Sequence, residues 1–108
     1  MPTYQVEFYG NKIDNEIEHF IKSLQKPTIA KSLRIIDLLQ KYGLSIGMPY
    51  VKKIEDNLYE LRVRGGEEVR YLFTMKKATF YIIFAFKKKT EKTPKNHLTI
   101  ARKRIYNI

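Results

Sequence analysis

Leu58-Tyr59-Glu60-Leu61-Arg62-Val63-Arg64-Gly65-Gly66-Glu67-Glu68-Val69-Arg70-Tyr71-Leu72-Phe73-Thr74-Met75 decides the fold. Two runs of alternating character flank Gly65-Gly66-Glu67-Glu68, a connection of hairpin length, which predicts antiparallel strands over Leu58 to Arg64 and Val69 to Met75. Successive side chains of a strand point to opposite faces. Tyr59, Leu61 and Val63 then share one face with Val69, Tyr71 and Phe73, and these apolar triplets call for helices packed on them. The opposite face receives Leu58, Glu60, Arg62 and Arg64 from one strand and Arg70, Leu72 and Thr74 from the other.

Working outward, Lys76-Lys77-Ala78 joins this hairpin to a third strand, Thr79 to Lys87. Upstream, Val51 to Ile54 is a short strand closed by the turn Asp56-Asn57, and residues 44–50, with Gly47 and Pro49, form a loop. Near the N-terminus Tyr4, Val6 and Phe8 alternate with polar neighbours until Gly10-Asn11, which gives a first strand. Ile13, Ile17, Phe20, Ile21 and Leu24 then fall on one helical face, with Asp14 and Glu16 near the positive end of the helix dipole. Pro27 suits the first turn of a second helix whose apolar positions are Ile29, Leu33, Ile36 and Leu39, and Gly43 suits its left-handed cap. Beyond Lys87-Lys88-Lys89 the chain turns polar, and Thr93-Pro94 starts a terminal helix with Leu98 and Ala101 on one face. The order β-α-α-β-β-β-β-α predicts one α+β domain over residues 1–108: an antiparallel sheet covered on one face by a helix hairpin, with its arginine face uncovered.

The chemistry open to such a domain is bounded by what it lacks. With no cysteine among 108 residues there is neither a disulfide nor a thiolate nucleophile or metal site, which fits a reducing compartment. His19 and His97, the only histidines, form no metal-ligand spacing with the scattered carboxylates, so no metal or other cofactor is expected. The longest apolar run, Phe80 to Phe86, is far below the about 20 residues that span a bilayer, and Met1-Pro2-Thr3-Tyr4-Gln5 does not open a signal peptide. The expected location is the cytoplasm.

Charge supplies the positive evidence. Residues 1–57 carry 8 Lys/Arg against 7 Asp/Glu, and residues 58–108 carry 13 against 4, so nearly all of the net +10 belongs to the C-terminal half. Such a one-sign field draws polyanions and makes their binding salt-sensitive. Arg62, Arg64 and Arg70, on strands about 5 Å apart, form a surface of forked cations suited to phosphate oxygens, with Glu60 beside them. Lys87, Lys88 and Lys89 add a second basic edge, with Lys92 and Lys95 close in sequence. RNA cleavage needs help for the attacking 2′-hydroxyl, charge to stabilise the phosphorane and a proton for the leaving 5′-oxygen. His19 lies away from the expected cleft; His97 follows the lysine run; Glu60 and His97 are the candidate acid and base. Tyr81 or Tyr9, if turned to the groove, would stack on a base.

Several stretches together are similar to a known family. Leu58-Tyr59-Glu60-Leu61-Arg62-Val63-Arg64, Val69-Arg70-Tyr71, Phe84-Ala85-Phe86-Lys87-Lys88-Lys89-Thr90-Glu91-Lys92-Thr93-Pro94 and Ile100-Ala101-Arg102-Lys103-Arg104, with the lead-in Gly47-x-Pro49-Tyr50-Val51-Lys52-Lys53, resemble the phage-derived, HigB-type branch of the RelE superfamily of toxins. The resemblance implies a RelE-like fold, metal-independent cleavage of messenger RNA in the ribosomal A site, and neutralisation by a helix-turn-helix antitoxin of the HigA type, through which alone operator DNA is contacted. Carried over by position, it matches the family's basic site residues to Arg70, to Arg62 and Arg64, and to Lys87 or Lys88; with the basic run, catalytic roles are expected on Arg70, Arg62 and Lys88, and RNA-binding roles on Arg64, Lys87, Lys89, Lys92 and Lys95. Glu60 stands where RelE has a lysine, and Thr93-Pro94 occupies the neighbourhood of the RelE tyrosine. Two other classes share the same basic face: a non-catalytic RNA- or DNA-binding module, and an interaction protein that docks an acidic partner.

Overall fold

The computed structural model describes residues 3–108. β1 (Gln5–Phe8) leads into α1 (Glu16–Lys22) and α2 (Lys26–Tyr42); a 3-10 turn (Gly43–Ile46) precedes β2 (Val51–Glu55), β3 (Leu58–Val63), β4 (Val69–Lys76), β5 (Thr79–Lys87) and α3 (Lys95–Tyr106). The expected order of elements is the observed one.

α1 starts later than its apolar spacing suggests. Asn15 caps it: Oδ1 accepts from the amides of Ile17 (2.9 Å) and Glu18 (3.2 Å), while Nδ2 donates to the carbonyls of Tyr9 (3.1 Å) and Asn11 (2.8 Å). One buried side chain thus closes both the end of β1 and the start of the helix. Ile13 is left outside the helix and 86% exposed, so its assignment to the buried face is corrected. α2 carries Pro27 in its first turn, as expected. Its buried face runs through Ser32, Ile35, Ile36 and Leu39, and Leu33, expected on that face, is exposed. Ser32 is there to meet Tyr71, whose hydroxyl donates to Ser32 Oγ at 2.8 Å. Burial pushes the Tyr71 phenol up to about 12. α2 stops at Gly43, whose φ of 65° is left-handed, and a Cβ there would stand 2.6 Å from the Tyr4 ring.

The strand order is β1-β5-β4-β3-β2. β2 to β5 form the expected antiparallel run, whereas β1 lies parallel to β5, with Gln5 opposite Thr79 and Phe8 opposite Ile82. The wholly antiparallel sheet is corrected to a mixed one, because the chain leaves β1 through the helix hairpin and re-enters at the far edge. The α1–α2 side of the sheet buries the expected triplets: Leu61, Val63, Val69, Tyr71 and Phe73, with Phe80 and Ile82, pack under Ile17, Ile21, Ile35 and Leu39.

The opposite face is not uncovered. α3 lies across it and closes a second core of Leu58, Leu72, Ile83, Phe86 and Ala101, flanked by Phe84, Leu98 and Ile105. A bulge makes this possible. Leu72 pairs with Phe84 and Phe73 with Ile82, so Ile83 is the extra residue and the alternation of β5 resets. Phe80 and Ile82 face the first core, and Ile83, Phe84 and Phe86 all serve the second. Left in water, that apolar area would be a large exposed patch, and its burial drives α3 onto the sheet. Arg104 then ties α3 to α1 and β5: it donates to Glu16 at 2.9 and 3.1 Å and to the Ile83 carbonyl at 2.7 Å. Arg102 forks onto Glu55 at the end of β2, at 3.0 and 2.7 Å.

Leu72→Ala removes a fully buried side chain from this second core. It is expected to lose about 2–5 kcal/mol of stability, read as a lower unfolding midpoint in urea. A loss within about 0.5 kcal/mol, as for an exposed site, would mean that α3 does not pack there in solution.

Candidate functional site

Arg62 on β3 and Arg70 on β4 are direct cross-strand partners, an arrangement that repels unless something anionic is near. The anion is Glu60. Its Oε1 accepts from Arg62 Nε at 3.0 Å and lies 3.4 Å from Arg70 Nε, and its Oε2 accepts from Thr93 Oγ1 at 2.8 Å. Both Glu60 and Arg70 are buried, at 3% and 2% exposure. Arg70 Nη1 donates back to the Val69 carbonyl at 3.2 Å, and Nη2 stands 4.0 Å from Glu68 Oε2, buried and without a hydrogen-bond partner. Burial pulls the Arg70 guanidinium below the usual arginine range, and the Glu60 carboxylate opposes that shift.

The expectation that Arg70 points into an open cleft is therefore corrected. Residues 88–93 pass over it as a strap. Together with Glu60, Arg70 and Phe86 they line a narrow recess of about 10 Å³, room for at most one water. Strand parity puts Arg70 on the expected face, and the chain after β5 returns to roof that face.

The other site residues divide by strand parity. Lys88 belongs to the cluster, with Nζ 3.6 Å from the same Glu68 Oε2 that faces Arg70. Lys87 does not. It lies opposite Val69 of the first core, and its ammonium pairs with Glu67 at 2.9 Å on the α2 side, where Glu67 also accepts from the Gln25 amide. Lys87 holds the Glu67 carboxyl below the usual range. Lys89, Lys92 and Lys95 are exposed along the strap and the start of α3, and Arg64 is exposed just past β3. His97 packs on the rings of Phe84 and Phe86, with centroids 4.8 and 4.5 Å away, and its buried Nδ1 has no partner. Burial lowers its pKa and keeps the ring neutral at pH 7. His19 is exposed and paired with Asp14 on α1's approach, away from the cluster. Tyr9 is taken: the Arg104 guanidinium lies 5.2 Å over its ring and Asn107 Nδ2 donates to its hydroxyl at 3.3 Å. Tyr81 packs beside the second core.

Sequence reasoning missed Thr93 and Glu68, whose relation to Glu60 and Arg70 exists only once the strap folds back. It also missed Lys31 and Arg34, which share an α2 face at i, i+3 spacing and line a groove with Arg62 and Arg64. Among the described residues no three His, Asp or Glu side chains group as metal ligands, and no helix is long and apolar enough to cross a membrane.

The mixed five-stranded sheet, with two helices on one face and a third on the other, is a fold also found in RelE. A chain of the archaeal RelE–RelB complex from Pyrococcus horikoshii OT3 superposes with a TM-score of 0.57, covering 83% of this chain and 99% of its own, at 24% identity. The sequence then gives the family. The family described as Phage derived protein Gp49-like (DUF891) matches residues 19–106, and this chain belongs to it, in agreement with the phage-derived branch to which the sequence resemblance pointed. No curated protein matches the sequence.

Two expectations follow. Arg70→Ala leaves the Glu60 carboxylate with Arg62 and Thr93 only, and is expected to lose about 1–3 kcal/mol in urea unfolding, whereas Arg64→Ala, at an exposed position, shifts stability by less than about 0.5 kcal/mol. His97 has a folded pKa below its unfolded value, so the unfolded chain binds the proton more readily and stability falls on acidification. Thermal melting between about pH 7 and 5 should therefore show a decline in the wild type that is flatter in His97→Gln.

Proposed function

We propose that this chain is the toxin of a type II toxin–antitoxin pair and cleaves messenger RNA on the ribosome, in the cytoplasm, without a metal. The observation that carries the reading is the buried Arg70–Glu60–Arg62 cluster, with one guanidinium nitrogen of Arg70 unpartnered, inside a Gp49-like chain of RelE-type fold. A fixed cation with a free donor, oriented by a neighbouring carboxylate, is preorganised to take a phosphate oxygen and to stabilise the charge that builds on it during attack.

The roles follow from placement. Arg70 and Arg62 hold the scissile phosphate, and Lys88, at the end of the same row, supplies further positive charge near the leaving 5′-oxygen. For RNA to reach Arg70 the strap beyond Lys88 must lift, and lifting it breaks the Thr93–Glu60 hydrogen bond. Glu60 Oε2 is then free to take the proton of the 2′-hydroxyl. His97 is separated from the cluster by the Phe86 ring it touches, so it supports the aromatic floor more directly than it moves protons. Arg64, Lys89, Lys92 and Lys95 attract and steer the strand from the rim, while Lys87 braces the β3–β4 hairpin from the other side.

The Pyrococcus chain belongs to a complex with RelB. By that likeness and by the family resemblance we assign this chain an antitoxin partner, of the helix-turn-helix HigA type, that silences it and carries any operator binding.

Expression without an antitoxin, followed by primer extension on cellular messages, is expected to give growth arrest with discrete cuts inside coding regions. Salt-sensitive RNA binding without cuts would instead identify a non-catalytic binding module. Arg62→Ala is expected to slow cleavage on ribosomes by about 10²–10³ while the protein stays folded, and Lys103→Ala, on the outer side of α3, to cut at the wild-type rate. A folded Arg62→Ala protein that cuts normally would remove the cluster from the chemistry.

A further inference from the structure

A groove of about 240 Å³ runs between α2 and the β2–β3 corner, lined by Lys31, Arg34, Tyr50, Arg62 and Arg64 over a floor that includes Ile35. Four cations border it and no carboxylate does. The charges are not all neutralised locally. Arg62 shares Glu60, and the Lys31 ammonium donates to the Arg64 carbonyl, but among the described residues the guanidiniums of Arg34 and Arg64 have neither an ion pair nor a hydrogen bond. Asp37, one turn along α2 from Arg34, is paired instead with Lys41 at 3.0 Å. Cations gathered this closely repel one another until an anion enters, so the groove is set to bind one.

The rest of the lining says which anion. Ile35 is buried and Tyr50 half-buried, packed against the first core, so a rigid aromatic and apolar wall stands among the cations. An acidic peptide would satisfy the charges and make no use of that wall. A nucleotide uses both, its phosphate on the guanidiniums and its base against the ring. The volume is below the about 300–1,000 Å³ of sites that enclose a whole ligand, and suits one unit of a longer strand. Arg62 belongs both to this groove and to the Glu60 cluster, and Arg64 follows it by two residues, about 6.6–6.8 Å along the strand. A polyanion held at one is led to the other.

We propose that this groove is a second RNA subsite, seating a nucleotide that flanks the one cleaved: Arg34, Lys31 and Arg64 hold its phosphate, and Tyr50 stacks on its base. The place of this nucleotide beside a scissile phosphate rests on the reading of the chain as an RNA endonuclease; the groove's binding of a nucleotide does not.

The test uses a fluorescein-labelled uridine hexanucleotide, followed by anisotropy, with the whole chain and its Arg34→Ala, Tyr50→Ala, Tyr50→Phe and Lys103→Ala variants, each checked by circular dichroism. Arg34→Ala and Tyr50→Ala are expected to weaken binding about 10-fold each, Tyr50→Phe and Lys103→Ala to bind as the wild type, and Arg34→Ala to lower the salt slope by about 0.7. Arg34 is exposed and unpaired, so its variant folds even if Tyr50→Ala does not. Wild-type binding by folded Arg34→Ala, or no binding of the hexanucleotide by the wild type at low salt, overturns the subsite. An octaglutamate peptide whose binding is lost in Arg34→Ala while hexanucleotide binding is not would give the groove to an acidic protein instead. Primer extension on ribosomes separates the two readings. Variant-sensitive hexanucleotide binding without cuts leaves the groove and removes the nuclease, whereas cuts by the wild type with unchanged binding in Arg34→Ala remove the groove alone.

Discussion

A carboxylate and two guanidiniums taken out of water between neighbouring strands are tolerable only while each finds the other, because desolvation costs each ion several kcal/mol. Glu60, Arg62 and Arg70 meet that condition through the register that sets Arg62 opposite Arg70 and puts Glu60 on the same side one step away. A slip of β4 by one residue against β3 would send Arg70 into the α1–α2 core and Val69, Tyr71 and Phe73 out of it. The cluster therefore guards the register of the central hairpin, and the strap and α3 can close over that face only because its charges are already matched. The same burial that makes the cluster a structural element holds Arg70 rigid, which is what a charge-stabilising group requires.

Around this centre acidic side chains are paired with nearby cations: Glu16 with Arg104, Glu55 with Arg102, Glu67 with Lys87, and Glu68 with Lys88 and Arg70. Arg104 holds the Glu16 carboxyl below its usual range, and Arg102 does the same to Glu55. With the acids fixed in this way, Arg34, Arg64, Lys89, Lys92 and Lys95 on the rim are left without an ion pair among the described residues. Attraction of a polyanion and stability of the fold thus draw on different cations, so the rim can be altered with little effect on folding.

Much of this was legible in the residues. The alternation from Leu58 to Met75 carries its own face assignment, and with it the location of Arg62 and Arg70. Pro27 and Gly43 mark the limits of α2 by backbone geometry alone. What was not legible depends on contacts distant in sequence. Leu58 and Leu72 sit on the arginine face and signal a second core, but they are isolated among charges until Ile83 and Phe86 join them, and the bulge that brings Ile83 over leaves no mark in the pattern of β5. The lysine run shows the same limit: adjacent residues Lys87 and Lys88 look equivalent in sequence, and the pleat puts them on opposite sides of the sheet. Arg34 is silent in the sequence because an arginine on a helix surface is ordinary; only the β2–β3 corner beside it makes a groove.

The topology also fixes an order of events. β1 can be completed only by β5, its partner in the sheet, 74 residues later at Gln5 and Thr79, and Glu16 finds Arg104 only after 88 more have been added. Neither contact is available before its later partner, Thr79 or Arg104, has been made, so the first strand and first helix wait for those partners while the chain between them is synthesised. The face bearing Arg62 and Arg70 is then roofed last. In a growing chain the basic cluster is present before its cover is, because the strap over it is made after every strand of the sheet.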